Sequence, residues 1–386
     1  MTDIHILSGA RTAIGSFGGA LAATPPIDLA AHAARAALDR AGIAPTHVGT
    51  TVFGHVINTE PRDMYLSRVA AMQAGVPETV PAMNVNRLCG SGLQAIVSGA
   101  QSLLLGDADI ALVGGAECMS RSPYAVPAAR FGQKMGDARV VDMMLGALTC
   151  PFGTGHMGIT AENVALDHGI SRADQDAFAL ASQTRAAAAI ASCHFTAEIA
   201  PLEPAGRKGP TTFAQDEHPK ATSLEALSAL RPAFQKEGTV TAGNASGLND
   251  GAAALVLSKG WQKGARARIM GWAVAGVAPR VMGLGPIPAV QALCAKLGLR
   301  PQEFDLVESN EAFAAQALAV TRALGLDPNK VNPDGGAIAL GHPVGATGAI
   351  LMVKALHALE RRDLSTALVT MCIGGGQGIA VAIERV

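Results

Sequence analysis

The chain has 386 residues, a formal net charge of −1, and 49% hydrophobic against 16% charged residues. This length exceeds one ordinary core, so we expect two or three domains or one large fused core. With no basic tail and no acidic run, the near-neutral charge argues against nucleic acid as a partner and against electrostatic attachment to a membrane.

The first residues predict a strand rather than a targeting segment. Residues 1–7 lack the basic start and long apolar stretch of a signal peptide. We find no apolar run of about 18 residues free of charges and breakers, so we expect no membrane-spanning helix. The six cysteines are scattered and form no CxxC pair. We therefore expect reduced thiols, most of them small buried side chains, and a cytoplasmic protein.

Strand-like and helix-like segments alternate along the chain, which favours an α/β fold. In the first third, helices are predicted over residues 28–41 and 92–105, and strands over 48–53 and 109–114. The last third repeats this plan with a glycine-rich loop from Gly341, a helix to about residue 359 and a strand over 367–370. The matching order predicts two related halves, each with its own sheet, although any α/β protein can show it by coincidence.

A segment of different character lies between the halves. It is rich in proline, glycine and charge, and helices are predicted within it over residues 159–168 and 172–190. A long insertion of this kind is usually a lid or a binding subdomain. We therefore divide the chain into an N-terminal half (1–118), a loop domain (119–249) and a C-terminal half (250–386).

Cys89 lies in the sequence NRLCGSG, at a predicted strand-to-helix turn. The positive end of the helix dipole and free backbone N–H groups stabilise a thiolate at such a turn, and glycines let a substrate approach closely. A structural cysteine more often sits inside an apolar element, as expected for Cys118 and Cys294. The position of Cys89 alone leaves a reactive and a structural role open.

Cys372 closes a predicted strand and opens the glycine-rich loop CIGGGQG. This loop is neither a dinucleotide-binding fingerprint nor a Walker loop, because it lacks the spacing of the first and the Gly-Lys-Ser/Thr of the second. It predicts a turn that exposes backbone donors beside a thiol. A plain strand terminus is the alternative.

Two polar residues are candidates for proton transfer or oxyanion binding. His342 occupies, in the second half, the place of Cys89 at a helix start, where the dipole favours a neutral imidazole that can accept a thiol proton. Asn310, between a strand and a helix, can hold a water or a substrate oxygen. The alternatives are a packed or capping histidine and an ordinary helix N-cap. Histidines and cysteines do not cluster at ligand spacing, so no metal site is predicted.

Taken together, these motifs resemble the signatures of the thiolase family. The three signatures are residues 86–92, 341–348 and 372–378, and NEAF at 310–313 is similar to a fourth. The resemblance covers the whole chain and is strongest to bacterial acetyl-CoA acetyltransferases and β-ketothiolases of the polyhydroxyalkanoate type. It implies a five-layered α/β/α/β/α fold with two duplicated halves and an inserted loop domain.

The resemblance also implies a reaction and roles for particular residues. The reaction is the reversible condensation of acyl-CoA with acetyl-CoA to 3-ketoacyl-CoA and CoA. Cys89 is expected to carry the acyl group, His342 to take its proton, and Cys372 to act as acid and base. Asn310 would hold a water that forms one oxyanion hole with His342, and the N–H groups of Cys89 and Gly374 would form the other.

The middle segment is expected to bind CoA, which is a substrate, and no cofactor is expected. By position in the family pattern, the CoA contacts would be Leu148, His156, Met157, Lys220, Phe234, Ser246, Ala312 and Phe313. Arg207 and Lys208 are further candidates for the CoA phosphates, with a solvated basic turn as the alternative. The stretch over residues 121–142 resembles a loop that joins two dimers, so we expect a homotetramer.

Three other functions compete with this interpretation. A ketosynthase-like condensing enzyme shares the fold but has no second catalytic thiol, so Cys372 argues against it. A non-catalytic acyl-CoA-binding protein would tolerate loss of Cys89 or His342, and both are present. A nicotinamide-dependent dehydrogenase, suggested by the 44 glycines, lacks its fingerprint.

Overall fold

The computed structural model describes residues 3–204 and 211–386. Its strands are β1 (Ile4–Arg11), β2 (Gly15–Ser16), β3 (Thr50–Gly54), β4 (Ala82–Val85), β5 (Ile110–Cys118), β6 (Tyr124–Ala125), β7 (Val141–Asp142), β8 (Thr149–Cys150), β9 (Gly155–His156), β10 (Asn249–Lys259), β11 (Ala267–Gly276), β12 (Leu306–Ser309), β13 (Thr366–Ile373) and β14 (Gln377–Arg385). Its α-helices are α1 (Pro26–Ala41), α2 (Leu66–Gln73), α3 (Ser91–Leu105), α4 (Met143–Ala147), α5 (Met157–Asp167), α6 (Arg172–Ala191), α7 (Leu224–Ser228), α8 (Pro286–Leu297), α9 (Ala314–Ala323), α10 (Ala337–Leu340) and α11 (Thr347–Arg361). Short 3-10 helices cover Pro45–His47, Pro61–Tyr65, Met119–Arg121, Pro127–Arg130, Pro279–Leu284 and Pro301–Glu303.

The main sheet contains two sets of strands in the same order. The first set runs β4-β3-β5-β10-β1, and the second runs β12-β13-β14-β11 in the matching sense. The two sets meet where β1 and β11 pair antiparallel at two positions, His5 with Arg268 and Ile6 with Ala267. The two expected halves are therefore present, and their sheets join edge to edge rather than standing apart.

Helices cover both faces of each set, which produces five layers. Helices α1 and α2 pack on the outer face of the first set, and α8 and α9 pack on the outer face of the second. Helices α3 and α11 lie between the two sets, in the largest apolar cluster. Alternation along β10 explains how one strand serves two layers. Its inward residues are Ala253, Leu255 and Leu257, and its outward residues are Ala252, Ala254 and Val256.

The two central helices touch through glycines at equivalent positions. A Cβ at Gly92 would lie 2.8 Å from the backbone nitrogen of Ala349, and one at Gly348 would lie 2.3 Å from that of Leu93. Any larger residue would force the helices apart. Because the contact is reciprocal, it also marks Gly92 and Gly348 as counterparts in the two halves.

The middle segment is inserted between β5 and β10, which are neighbours in the first set. Its helices α5 and α6 pack against α9 of the second half. Strand β10 pairs with β5 and β1 along its length. The first set of strands therefore extends to Lys259, whereas the division at residue 250 stays a prediction. Local pattern gives the strand but not the sheet it joins, because pairing is a long-range choice.

One further expectation differs from the structure. Strand β5 continues past residue 114 to Cys118, because residues 115–118 keep pairing with β10.

The segment Leu88–Leu105 is long and apolar enough, by length and composition alone, to cross a membrane, although three glycines interrupt it. In the fold it includes α3, which packs between the two sets of strands.

Candidate active site

Cys89 lies two residues before α3, in the turn that follows β4. The preceding residue, Leu88, has a φ of 45°, a left-handed conformation that costs an ordinary residue about 1–2 kcal/mol. Burial raises the pKa of the Cys89 thiol, although the backbone N–H groups of Gly374 and Cys89 oppose this shift. The backbone donors act in the expected direction, but the effect of burial on the pKa is larger.

Cys372 lies at the end of β13, before the tight turn to β14. In this turn Gly375 and Gly376 have φ values of 85° and 91°. A Cβ at Gly376 would also lie 2.4 Å from the carbonyl oxygen of Val277, so the turn requires glycine there. Burial and then the nearby Cys89 raise the pKa of the Cys372 thiol. Its thiolate would consequently be a strong base.

His342 lies in the loop between α10 and α11, five residues before α11 rather than at the helix start. The hydroxyl of Thr347 donates to the carbonyl oxygen of Pro343 at 2.8 Å, so it must accept from Nδ1 of His342 at 2.7 Å. The lone pair is thereby left on Nε2. Burial lowers the pKa of His342 to about 4. The imidazole is neutral as expected, but burial is the cause.

Asn310 follows β12 and precedes α9 by four residues, so it is not a simple N-cap. Its side-chain nitrogen lies 3.4 Å from Nε2 of His342 and donates to it. Its Oδ1 has no hydrogen-bond partner within residues 3–204 and 211–386. The next residue, Glu311, is buried and accepts from Ser182 at 2.6 Å and Asn332 at 2.8 Å, which fixes this loop.

These side chains meet at one cavity of about 500 Å³. Cys89, His342, Cys372 and Gly374 line it, and Asn310 reaches it through its contact with His342. Cys118 and Cys294 are buried elsewhere, Cys150 is buried in the apolar cluster that also contains Met157 and Cys372, and Cys193 is exposed. Two thiols and a neutral imidazole facing a mostly apolar cavity form a site suited to thioester exchange.

The family comparisons agree with this geometry. Residues 4–260 match the description "Thiolase, N-terminal domain", and residues 263–385 match "Thiolase, C-terminal domain". The chain belongs to the thiolase family. The family boundary falls just after β10, as the strand pairing also places it.

The relatives of this thiolase match along its whole length. It is 57% identical to "Beta-ketothiolase BktB" of Cupriavidus necator, covering 100% of this chain and 99% of the relative. It is 51% identical to the acetyl-CoA acetyltransferase of Escherichia coli K12, covering 100% of both. The structure of human mitochondrial 3-ketoacyl-CoA thiolase in complex with CoA superposes with a TM-score of 0.96 at 42% identity, covering 100% of this chain and 98% of that one.

All the residues predicted to contact CoA line the same cavity: Leu148, His156, Met157, Lys220, Phe234, Ser246, Ala312 and Phe313. The ring of Phe234 stacks on His156, with centroids 4.7 Å apart, and meets Phe313 edge-on at 6.1 Å. Burial lowers the pKa of His156, so this wall is neutral and largely apolar. Arg207 and Lys208 lie outside the described residues. Whether the eight residues bind CoA stays a prediction.

Several cavity residues escaped the sequence analysis. Among them are Val56, Met119, Asp142, Met144, His218 and Met282. Burial, followed by the charge of Lys220, lowers the pKa of His218 to about 4. A Cβ at Gly247 would lie 2.3 Å from Cε1 of His218, so glycine makes room for this imidazole. The sequence signal that could have identified His218 is its position two residues before Lys220, a predicted CoA contact. The others come from separate elements and have no shared motif.

The described residues also contain no group of three or more His, Cys, Asp or Glu side chains arranged to hold a metal ion.

Proposed function

We propose that this thiolase catalyses the reversible Claisen condensation of acyl-CoA with acetyl-CoA, and thiolytic cleavage in the reverse direction. One observation carries the proposal. Cys89 from the first half and Cys372 from the second line the same cavity as a neutral imidazole. One thiol can carry the acyl group while the other handles the α-proton.

In the first half-reaction, Cys89 attacks the thioester carbonyl of acyl-CoA. Nε2 of His342 carries the ring's lone pair, which accepts only a long contact of 3.4 Å from Asn310, and it takes the thiol proton, giving an imidazolium. The carbon–sulfur bond to CoA breaks as the bond to Cys89 forms. The departing CoA thiolate takes the proton of Cys372, so CoA leaves as a thiol and Cys372 becomes a thiolate.

In the second half-reaction, the Cys372 thiolate removes an α-proton from acetyl-CoA. Burial, together with the neighbouring Cys89, raises the pKa of Cys372 and makes this thiolate basic enough for the task. The resulting carbanion attacks the acyl-Cys89 carbonyl, forms the 3-ketoacyl-CoA and expels the Cys89 thiolate. The imidazolium of His342 returns the proton to Cys89, which restores the starting state.

Two sets of donors are available for the oxyanions that develop in these steps. The N–H groups of Gly374 and Cys89 both face the Cys89 sulfur, where an acyl oxygen would lie beside them. Asn310 lies against His342, and its unpartnered Oδ1 can hold a water beside the second thioester. We assign the N–H groups of Gly374 and Cys89 to the oxyanion that forms on the acyl group of Cys89. We assign Asn310 and its water to the oxyanion that forms on acetyl-CoA.

We further propose that coenzyme A enters through the loop-domain side of the cavity as substrate and product, and that no other cofactor takes part. The apolar wall of Met157, Phe234 and Phe313 suits a pantetheine arm. Lys220 supplies a positive charge at the cavity for a phosphate. The mechanism draws only on side chains, backbone N–H groups and the CoA thiol.

We propose a cytoplasmic homotetramer for this thiolase. Two bulky apolar side chains, Phe131 and Met135, are each 90% exposed in the stretch over residues 121–142. Contiguous exposure of such groups is typical of an interface. The proposed chemistry also needs Cys89 and Cys372 reduced, which suits a reducing compartment.

Single-turnover kinetics with acetyl-CoA test the division of labour between the thiols. Cys89→Ala should release no CoA, whereas Cys372→Ala should release one equivalent and form no condensed product. Cys294→Ala, a buried thiol in α8 away from the cavity, is the matched control and should turn over. Condensation at near wild-type rate by Cys372→Ala would show that the two-thiol assignment is wrong.

A further inference from the structure

The two halves place different chemistry at equivalent positions. Gly54 pairs with Gly115 between β3 and β5, as Ser309 pairs with Thr370 between β12 and β13. Counting on from these pairs, His55 is the counterpart of Asn310. By the same count, Glu117 is the counterpart of Cys372. The first half therefore has a buried carboxylate where the second half has its basic thiol.

The central helices extend this correspondence. Gly92 and Gly348 touch reciprocally, so Gly345, three residues before Gly348, is the counterpart of Cys89. In the active site Cys89 and Cys372 line the same cavity. At the equivalent place in the other half the backbone N–H of Gly345 donates to Oε2 of Glu117 at 3.0 Å.

Glu117 connects two segments that border the active-site cavity. Its Oε2 also accepts from the N–H of Val56 at 3.1 Å, and its Oε1 accepts from that of Ile57 at 3.2 Å. Val56 lines the cavity, and Gly345 belongs to the loop that carries His342. A single, fully buried carboxylate therefore holds the backbone of both segments, one at Val56 and the other at Gly345.

The side chain of His55 lies between this carboxylate and Asp63. Nδ1 of His55 donates to the carbonyl oxygen of Ala116 at 2.9 Å and lies 3.4 Å from Oε1 of Glu117. Nε2 of His55 has no hydrogen-bond partner among the described residues, but it lies 3.9 Å from Oδ2 of Asp63. Burial raises the pKa of Glu117, and His55 and the three backbone N–H groups oppose this shift.

We propose that Glu117 is a positioning residue for the acylation step, which holds the His342 loop through Gly345 and the cavity segment through Val56. The inference rests on the proposed function. Burial is the largest cause of the raised pKa of Cys89, and Glu117 raises it further. The carboxylate therefore adds to the effect of burial on the pKa of Cys89.

Glu117→Gln tests both effects, because it keeps the side chain's size but removes the charge and one acceptor. We expect acyl-Cys89 formation from acetyl-CoA to slow about 10- to 100-fold, since small displacements of a catalytic base have effects of this size. We also expect the pH midpoint for alkylation of Cys89 by iodoacetamide to move to lower pH. A merely structural role would not move this midpoint in that direction. Unchanged acylation and an unchanged midpoint would overturn the proposal.

Glu162→Gln is the matched control. Glu162 is also buried and accepts from the backbone N–H groups of Thr239 and Val240, but it has no contact with the His342 loop. This variant should keep the wild-type alkylation midpoint. A shift equal to that of Glu117→Gln would make the effect one of general stability and overturn the proposal.

His55→Gln decides the matter if Glu117→Gln does not fold. Without the imidazole, Glu117 should take up a proton more readily, so acylation should be slow near neutral pH and recover at higher pH. If His55→Gln acylates slowly at every pH, or as fast as the wild type near neutral pH, the inference is contradicted. Wild-type acylation is measured alongside, and its absence would instead refute the proposed function.

Discussion

Removing the Thr347 hydroxyl should slow acylation without weakening substrate binding. The hydroxyl accepts from Nδ1 of His342 at 2.7 Å and thereby leaves the lone pair on Nε2. In Thr347→Val the buried Nδ1–H loses its partner, which costs about 1–3 kcal/mol. Because each 1.36 kcal/mol is a factor of ten, we expect the first half-reaction to slow about 5- to 150-fold.

Stopped-flow release of CoA from acetyl-CoA measures this step directly. Thr347→Ser keeps the hydroxyl and should remain near the wild-type rate, whereas the KM for acetyl-CoA should be similar in all three proteins. Thermal unfolding of each variant separates a folding defect from a slower reaction. If Thr347→Val acylates as fast as Thr347→Ser, the hydrogen bond does not set the reactive state of His342.

Three other predictions follow from burial and packing. Burial lowers the pKa of His342 from 6.5 to about 4. As the pH falls below 6.5, the unfolded chain therefore takes up a proton at His342 before the folded chain does. This residue leaves the free energy of unfolding unchanged above pH 6.5 and lowers it by about 3 kcal/mol toward pH 4. His342→Asn should reduce this dependence in chemical denaturation, and an unchanged slope would contradict it. Gly348→Ala should destabilise the protein by about 1–3 kcal/mol, because its Cβ would lie 2.3 Å from the nitrogen of Leu93, whereas Gly146→Ala meets nothing within 4 Å and should be near neutral; equal melting temperatures would refute this. Iodoacetamide should label the exposed Cys193 as well as Cys89, but acetyl-CoA should protect only Cys89 and the activity, so protection of both would contradict the assignment.

Short motifs were enough to predict which residues meet at the cavity. Cys89, His342 and Cys372 each lie beside glycines or a proline that fix a turn, and such turns are encoded locally. The family pattern then supplied the eight predicted CoA contacts named above, all of which line the cavity. The fold class was predictable because strands and helices alternate along the chain and their order repeats in the two halves.

Properties that depend on distant residues were not predictable. The helix start suggested a thiolate at Cys89, but the surrounding protein raises the pKa of this thiol. The placement of β10 in the first set of strands depends on its pairing with β1 and β5. The contact of Glu117 with Gly345 joins residues 228 positions apart, and no local pattern indicates it.

Peptide mapping of Cys372→Ala after a brief reaction with acetyl-CoA tests the role of the first thiol most directly. The variant retains the proposed nucleophile and base but lacks the residue that would consume the intermediate. We predict one acetyl group per chain, on the peptide that contains Cys89. An acetyl group on any other cysteine, or an unmodified Cys89 after CoA has been released, would contradict the account.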